Sequence, residues 1–154
     1  MGKRPEGVHV ACTNKKARRD YHIEETLEAG IVLRGSEVKS LRDGKANLTD
    51  AYAWEQGGEV WISGLHISAY SHTRIEEQEP TRDRKLLLHA QEIRKLAVKI
   101  QQRGYTLVPL RIYFKRGYAK VELGLGRGKK LYDKREDLKK ADAKREMERA
   151  LRTH

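Results

Sequence analysis

The sequence predicts an α+β fold, mostly antiparallel β, closed into a small β-barrel with flanking helices and trailed by a basic tail. Three observations carry this. Apolar and polar residues alternate in several runs, and two pairs of runs are joined by tight turns, at Gly57-Gly58 and Arg116-Gly117. The order reads β, short α, ββ, long α, ββ, with no regular βαβ alternation. So few strands need protected edges, and closure under helix-capped ends supplies them. Beyond about residue 126 the core-forming pattern stops, leaving charge and scattered alanines.

Residues 1–13 mix Gly, Pro and charge without a period and read as a disordered N-terminal arm. The cluster Asn14-Lys15-Lys16-Ala17-Arg18-Arg19 opens a domain expected over 14–126. From Tyr21 the period is two. Tyr21, Ile23, Leu27, Ala29, Ile31 and Leu33 share one side, interrupted only by Glu25, in a long strand bent near Gly30. Gly35-Ser36-Glu37 opens a short helix with Ser36 as N-cap, Gly44 as its stop, and Lys39 and Arg42 on the outer face. Leu48, Tyr52 and Trp54 form a strand that hairpins into Val60, Trp61, Ile62 and Leu65, with Ile67 and Tyr70 extending it.

Residues 71–83 have no period and read as a long surface loop. A helix is expected from Lys85 to Arg103, capped by Thr81 or Asp83 and ended by Gly104. Its apolar face holds Leu86, Ile93, Leu96, Ala97 and Ile100. In the final hairpin Val108, Leu110, Ile112 and Phe114 alternate with Arg111 and Tyr113, and Leu107 breaks the pattern. Pro109 lacks an N–H and belongs at an edge or bulge. Ala119, Val121, Leu123 and Leu125 alternate with Tyr118, Lys120 and Glu122.

Net charge is +11 over 154 residues, and it sits at the ends. Residues 1–20 carry +4 and residues 127–154 carry +5, leaving +2 for the rest. Basic ends on a balanced body suit a polyanion, with nucleic acid ahead of an acidic protein or an anionic membrane. A single cysteine, Cys12, suits a reducing compartment. No apolar run reaches the ~18 residues of a membrane span. The chain reads as a soluble, cytoplasmic protein.

Residues 126–135, GRGKKLYDKR, join body to tail. Glycines free the backbone, the cations attract phosphate, and Tyr132 offers a ring on which a base can stack. Two readings stand: a solvated linker into a frayed end, or a hinge carrying a nucleic-acid-binding tail over 127–154. Leu138, Ala141, Met147, Ala150 and Leu151 are too sparse for a core. Glu136/Lys140 and Glu148/Arg152 are i,i+4 pairs worth roughly 0.2–0.5 kcal/mol each. Such a helix is marginal alone, so the tail is expected to be disordered when free and helical when docked.

Catalytic signatures are missing. The sequence has no GxSxG, P-loop, HExxH or CxxC motif, and its six histidines have no metal-ligand spacing. Gly124-x-Gly126-x-Gly128 follows a strand, but no apolar-faced helix follows it as a dinucleotide site requires. The expectation is a binding module with no cofactor and no metal.

Four segments bring these features together: NKKARRDYHIEETLEAGIVLRGSEVKSLRDGKANLTDAY, PTRDRKLLLHAQEI, GYTLVPLRIYF and GLGRGKKLYDKR. In order, over about residues 14–135, they closely resemble the SmpB family, the SsrA-binding proteins of bacterial trans-translation. GSEVKSLRDGKANL with GKKxxDKR is highly specific. The resemblance implies an OB-like barrel and a partner, transfer-messenger RNA, bound at its tRNA-like domain. It implies entry into stalled ribosomes, with the tail in the decoding centre and message channel, beside the elongation factor EF-Tu. It implies no enzymatic activity. By position it marks Asn14, Tyr21, Glu28, Leu87 and His89 as RNA contacts; many members have Asn where His89 stands. Electrostatics add Lys15, Arg18, Arg19, Lys39, Arg42, Lys85 and Lys120. The ribosome-directed motif is Gly128, Lys129, Lys130, Tyr132, Asp133, Lys134 and Arg135, with His in some members at the place of Tyr132. A general basic OB-like RNA-binding or ribosome-associated protein is the alternative reading, and the protein is expected to be a monomer.

Overall fold

The computed structural model describes residues 8–69, 79–102 and 104–152, with side chains for all of these except 130–137 and 152. The strands are β1 Val8–Thr13, β2 Tyr21–Ile31, β3 Ala46–Asn47, β4 Tyr52–Gln56, β5 Glu59–Ser63, β6 His66–Ile67, β7 Arg84–Leu87, β8 Tyr105–Lys115 and β9 Tyr118–Gly128. The helices are α1 Ala17–Asp20, α2 Gly35–Arg42, α3 Ala90–Gln101 and α4 Lys129–Arg152. The fold is α+β, with a mostly antiparallel sheet. Strands pair in the order β1-β8-β4-β5-β7-β2-β9, and β9 pairs again with β8. β3 and β6 form a separate short pair.

Two bulges decide which side chains meet the core. In β2 the register against β9 slips between Ile23 and Glu25. In β8 it slips between Pro109 and Arg111, where the proline was expected. An extra residue turns the following side chains to the opposite face. Thus Leu27, Ala29 and Ile31 pack with the main core, while Tyr21 and Ile23 join Ala17, Val108 and Leu110 in a second, smaller cluster on the other side. Leu107 and Ile112 are both in the main core despite opposite parity. The apparent errors at Glu25 and Leu107 reflect these two register shifts.

Both predicted hairpins form. Gly57 and Gly58 turn with φ of 61° and 82°, Arg116 and Gly117 with 53° and 82°, the positive values that two-residue hairpin turns need. Gly44, at φ 72°, follows α2 as expected. Other boundaries move. The arm expected to be disordered over 1–13 contains β1, which pairs with β8 from Val8 to Thr13. Its short alternation is stabilised by a distant strand edge, a partner that local composition does not reveal. Residues 1–7 lie outside the described residues, as do Tyr70 and most of the loop expected over 71–83. Arg34, not Ser36, is the N-cap of α2, and its N–H donates to Glu37 at 2.7 Å. The helix expected from Lys85 is two elements. Arg84 and Leu86 point inward and Leu87 outward in β7, which bonds to both β2 and β5. The helix starts at Ala90 with His89 as N-cap. Four residues of period two are hidden at the start of a longer period of 3.6.

Gly124 and Gly126 are not hinges. A Cβ on Gly126 would lie 2.3 Å from the His22 carbonyl oxygen, and one on Gly124 would press on Ile23 and Leu110 at 3.0–3.1 Å. They let strands and the small outer cluster approach closely. β9 runs on to Gly128, two residues past the expected end of the domain.

Candidate nucleic-acid interface

The basic cluster before β2 is pinned to the sheet. Asn14 is buried, and its side-chain amide donates to the carbonyls of Pro109 (3.0 Å) and Leu48 (3.3 Å). Its Oδ1 accepts from the Ala17 N–H at 3.2 Å. Its own N–H donates to the Leu110 carbonyl at 2.7 Å. Ala17 and Tyr21 then pack on Val108, Leu110 and Ile23. Lys15, Lys16, Arg18 and Arg19 project to solvent from a short, anchored turn.

Beside that turn, register aligns side chains in rows across the outer face. Glu28 of β2 pairs with Glu122 of β9, which pairs with Arg111 of β8. In the next row Leu87 of β7 pairs with Gly30 of β2, then Lys120 of β9, then Tyr113 of β8. Two carboxylates directly opposed would repel, and cations resolve this. Glu122 accepts from Arg111 Nε at 2.5 Å and lies 3.8 Å from Arg18. Glu28 accepts from the Tyr113 hydroxyl and lies 3.6 Å from Lys115. That hydroxyl bond, with the charges of Lys115 and Lys120, holds the Glu28 carboxyl below the usual carboxylate range despite partial desolvation. Burial first, then Glu28, pushes the Tyr113 phenol up. Tyr113 therefore stays a donor and Glu28 an ionised acceptor. Arg111 lies over the Tyr113 ring, 5.1 Å from its centroid.

Leu87 is 53% exposed on this face. A Cβ on Gly30 would come within 3.3 Å of Leu87 Cβ, so the bare glycine lets Leu87 sit low on the sheet. Lys85 shares its side of β7 and lies 3.7 Å from Glu59. His89 is exposed at the start of α3, where its N–H donates to Glu92 at 3.1 Å. The structure thus brings Arg18, Glu28, Lys120 and Leu87 into one field, with Lys15, Arg19, Lys85 and His89 at its margins. Asn14 and Tyr21 lie beneath it. Lys39 and Arg42 are elsewhere: they ride on α2, whose Leu41 enters the main core, and Arg42 lies over Phe114 at 5.3 Å.

Gly128 ends β9 opposite Tyr21, and Lys129 begins α4, exposed. Lys130, Tyr132, Asp133, Lys134 and Arg135 lie on the α4 backbone, and their side chains are outside the described ones. Leu138, Met147 and Leu151 are all exposed.

Sequence reasoning missed Arg111, Tyr113, Lys115 and Glu122 as members of the field. Alternation put Arg111, Tyr113 and Glu122 on outward sides, but only the cross-strand register joins them to Glu28. It also missed Arg84, which is wholly buried against Glu37 at 2.7 Å and donates to the Leu65 and Pro80 carbonyls. Burial would raise the Glu37 carboxyl, but bonds from Arg82, the Arg34 N–H and Arg84 pull it below the usual range. This pair ties α2 to β7 beneath the field. Among the described residues no group of three or more His, Cys, Asp or Glu could hold a metal ion, and no helix is long and apolar enough to cross a membrane.

Comparison with known proteins follows the same line. The model of the SmpB protein family matches residues 11–153. The SsrA-binding protein of Geobacter sulfurreducens is 59% identical over 146 residues, 95% of each chain. That of Ruminiclostridium cellulolyticum is 58% identical over 147 residues, 96% of each. A solved structure described as "tmRNA-SmpB: a journey to the center of the bacterial ribosome" superposes with a TM-score of 0.64 at 52% identity, covering 76% of this chain and 82% of that one.

Proposed function

The chain belongs to the SmpB family, and we propose that it binds the tRNA-like domain of transfer-messenger RNA and delivers it to stalled ribosomes for trans-translation, which tags incomplete proteins. The observation that carries this is the outer field itself. An anchored basic turn, a neutralised pair of carboxylates, a lysine and an exposed leucine lie within four adjacent strands. Structured RNA is recognised by shape and backbone, with a few bases or 2′-hydroxyls read directly. Arg18, Arg19, Lys15 and Lys120 meet phosphates. Glu28, held ionised but screened, accepts from a 2′-hydroxyl or base N–H. Leu87 packs on a sugar or base, with His89 and Lys85 at the rim. Asn14 and Tyr21 act by holding the basic turn in place.

The pairing series β8-β4-β5-β7-β2-β9-β8 supports reading the body as a small closed barrel of OB-like type. The body then spans residues 8–128 and the tail begins at Lys129. The motif Gly128, Lys129, Lys130, Tyr132, Asp133, Lys134 and Arg135 addresses the decoding centre, and the rest of α4 enters the vacant message channel. With no buried face among its described side chains, α4 is marginal alone, orders on the ribosome, and carries no catalytic group. The protein acts as a cytoplasmic monomer beside EF-Tu.

The test is to purify the protein from its own cells and sequence the RNA it carries. One dominant, tRNA-like species is expected, bound more tightly than duplex or single-stranded RNA at equal salt. A random mixture would identify a general RNA-binding protein. Salt titration alone separates nothing, because both weaken as salt rises.

A further inference from the structure

We propose that Arg127, Tyr105 and Glu24 form a strap across three strands that aims the C-terminal helix, making Arg127 and Tyr105 positioning residues for the tail. The inference rests on the tail acting at a distance from the RNA-bound body. Arg127 is the last side chain before Gly128, and α4 begins at Lys129 with no loop between. Its guanidinium lies 4.2 Å from the centroid of the Tyr105 ring, its partner in register on β8. The Tyr105 hydroxyl continues over it and donates to Glu24 at 2.7 Å on β2, the strand on the other side of β9. Glu24 is the residue that the β2 bulge inserts. A ring from one neighbour thus crosses a cation on the central strand to reach a carboxylate on the other neighbour.

Two further ties hold the same point. Gly126 brings β9 so close to β2 that a Cβ there would lie 2.3 Å from the His22 carbonyl oxygen. Lys99, near the end of α3, bonds to Glu25 at 2.8 Å. Arg127 itself is set by stacking on Tyr105, and among the described residues its buried Nε has no hydrogen-bond partner. Such an orphan costs stability, so placement accounts for this arginine better than stability does. One residue on, a Cβ added to Gly128 would meet nothing within 4 Å. Its backbone is still in register with Tyr21 on β2, so the sheet holds the chain up to the residue before α4.

Lever length makes that junction matter. A 24-residue helix is roughly 36 Å long at 1.5 Å per residue, so a 20° error at its root moves the far end by about 12 Å. That is about the full width of a helix, enough to miss a channel.

The experiment uses the full chain with transfer-messenger RNA and stalled ribosomes. Arg127→Gln removes the cation, Tyr105→Phe removes only the hydroxyl bond, and Arg127→Lys restores a cation. Amide exchange at 127–128 is expected to quicken in the first two, with 119–125 unchanged, while RNA affinity holds. Tagging should fall roughly five- to tenfold in Arg127→Gln and about threefold in Tyr105→Phe, and recover in Arg127→Lys. Full tagging despite a loosened root would overturn the strap. So would a tagging defect without faster exchange, or a parallel loss of RNA affinity. If Arg127→Gln does not fold, Tyr105→Phe decides alone. If the unaltered protein proves not to select transfer-messenger RNA, the functional reading fails, and the exchange data still judge the strap.

Discussion

The sheet-bearing body and the C-terminal helix are both rich in lysine and arginine, yet their cations live in different circumstances. On the body, Arg18 and Arg111 are tied to Glu122, Lys115 to Glu28, and Arg84 is sealed against Glu37. On α4 an ion pair such as Arg145 with Asp142, at 3.9 Å, is exposed and local. Among the described residues the helix meets the body chiefly at β9, α1 and β2, and Leu138, Met147 and Leu151 face solvent. The lesson is that both regions share the same charge, while burial separates cations tied into a packed sheet from cations on a helix whose large apolar side chains stay exposed.

The largest effect expected is from deleting residues 133–154. Tagging on stalled ribosomes should drop to background, while affinity for transfer-messenger RNA and the melting temperature stay as they were. A gel-shift titration beside a tagging assay checks this, and a large loss of RNA affinity would break the division of roles.

Next is Glu37→Ala. It leaves Arg84 buried with only backbone carbonyls and should destabilise the body by about 3–5 kcal/mol in urea melts. No substitution beyond residue 138 should move that transition. An unchanged midpoint would mean that Arg84 is solvated in solution.

Substitutions on the outer field should be smaller and of opposite kind. Leu87→Ala should cost about 1–2 kcal/mol of RNA binding, and its stability change should stay within about 0.5 kcal/mol because the side chain is half exposed. Lys120→Ala should reduce the salt slope of binding by about one. An unfolded Leu87 variant would make that residue structural.

The mildest is a pH effect. The Glu37 carboxyl sits below its unfolded value of 4.5 in the folded chain. Its contribution is therefore complete above about pH 4.5 and is lost as pH falls through the lower folded value. Stability measured from pH 7 down to 3 should show this decline, and Glu37→Gln should lack that component. The tail's charge pairs should leave the curve untouched.

Much of this was legible in the chain. Both hairpin turns, the helix ending before Gly104, an edge or bulge at Pro109 and the basic ends followed from local chemistry. The outer field was only half legible. Its members were visible one at a time as outward-facing residues, and the family motif marked Glu28 and Leu87. Nothing local could pair Glu28 with Tyr113, which lies 85 positions away. The early part of β7 was misread because Arg84–Leu87 also fits the start of a helical stripe. A strand buried on one face between two distant strands leaves little mark in a four-residue window. That Lys39 and Arg42 ride on α2 apart from these rows was not legible either, since charge says that a residue is exposed but not on which surface.

By itself, the sequence determined where strands alternate, where the chain turns, and that the last twenty-odd residues cannot bury a core. These depend on backbone preference and side-chain period, which act over a few residues. The tertiary structure decided which strands are neighbours, where two bulges exchange inner for outer faces, and how tightly the glycines before the tail are held. Those outcomes depend on hydrogen-bond partners and packing volumes supplied from far along the chain. Gly126, part of a free joint when read in isolation, therefore stands against the His22 carbonyl too closely for any side chain.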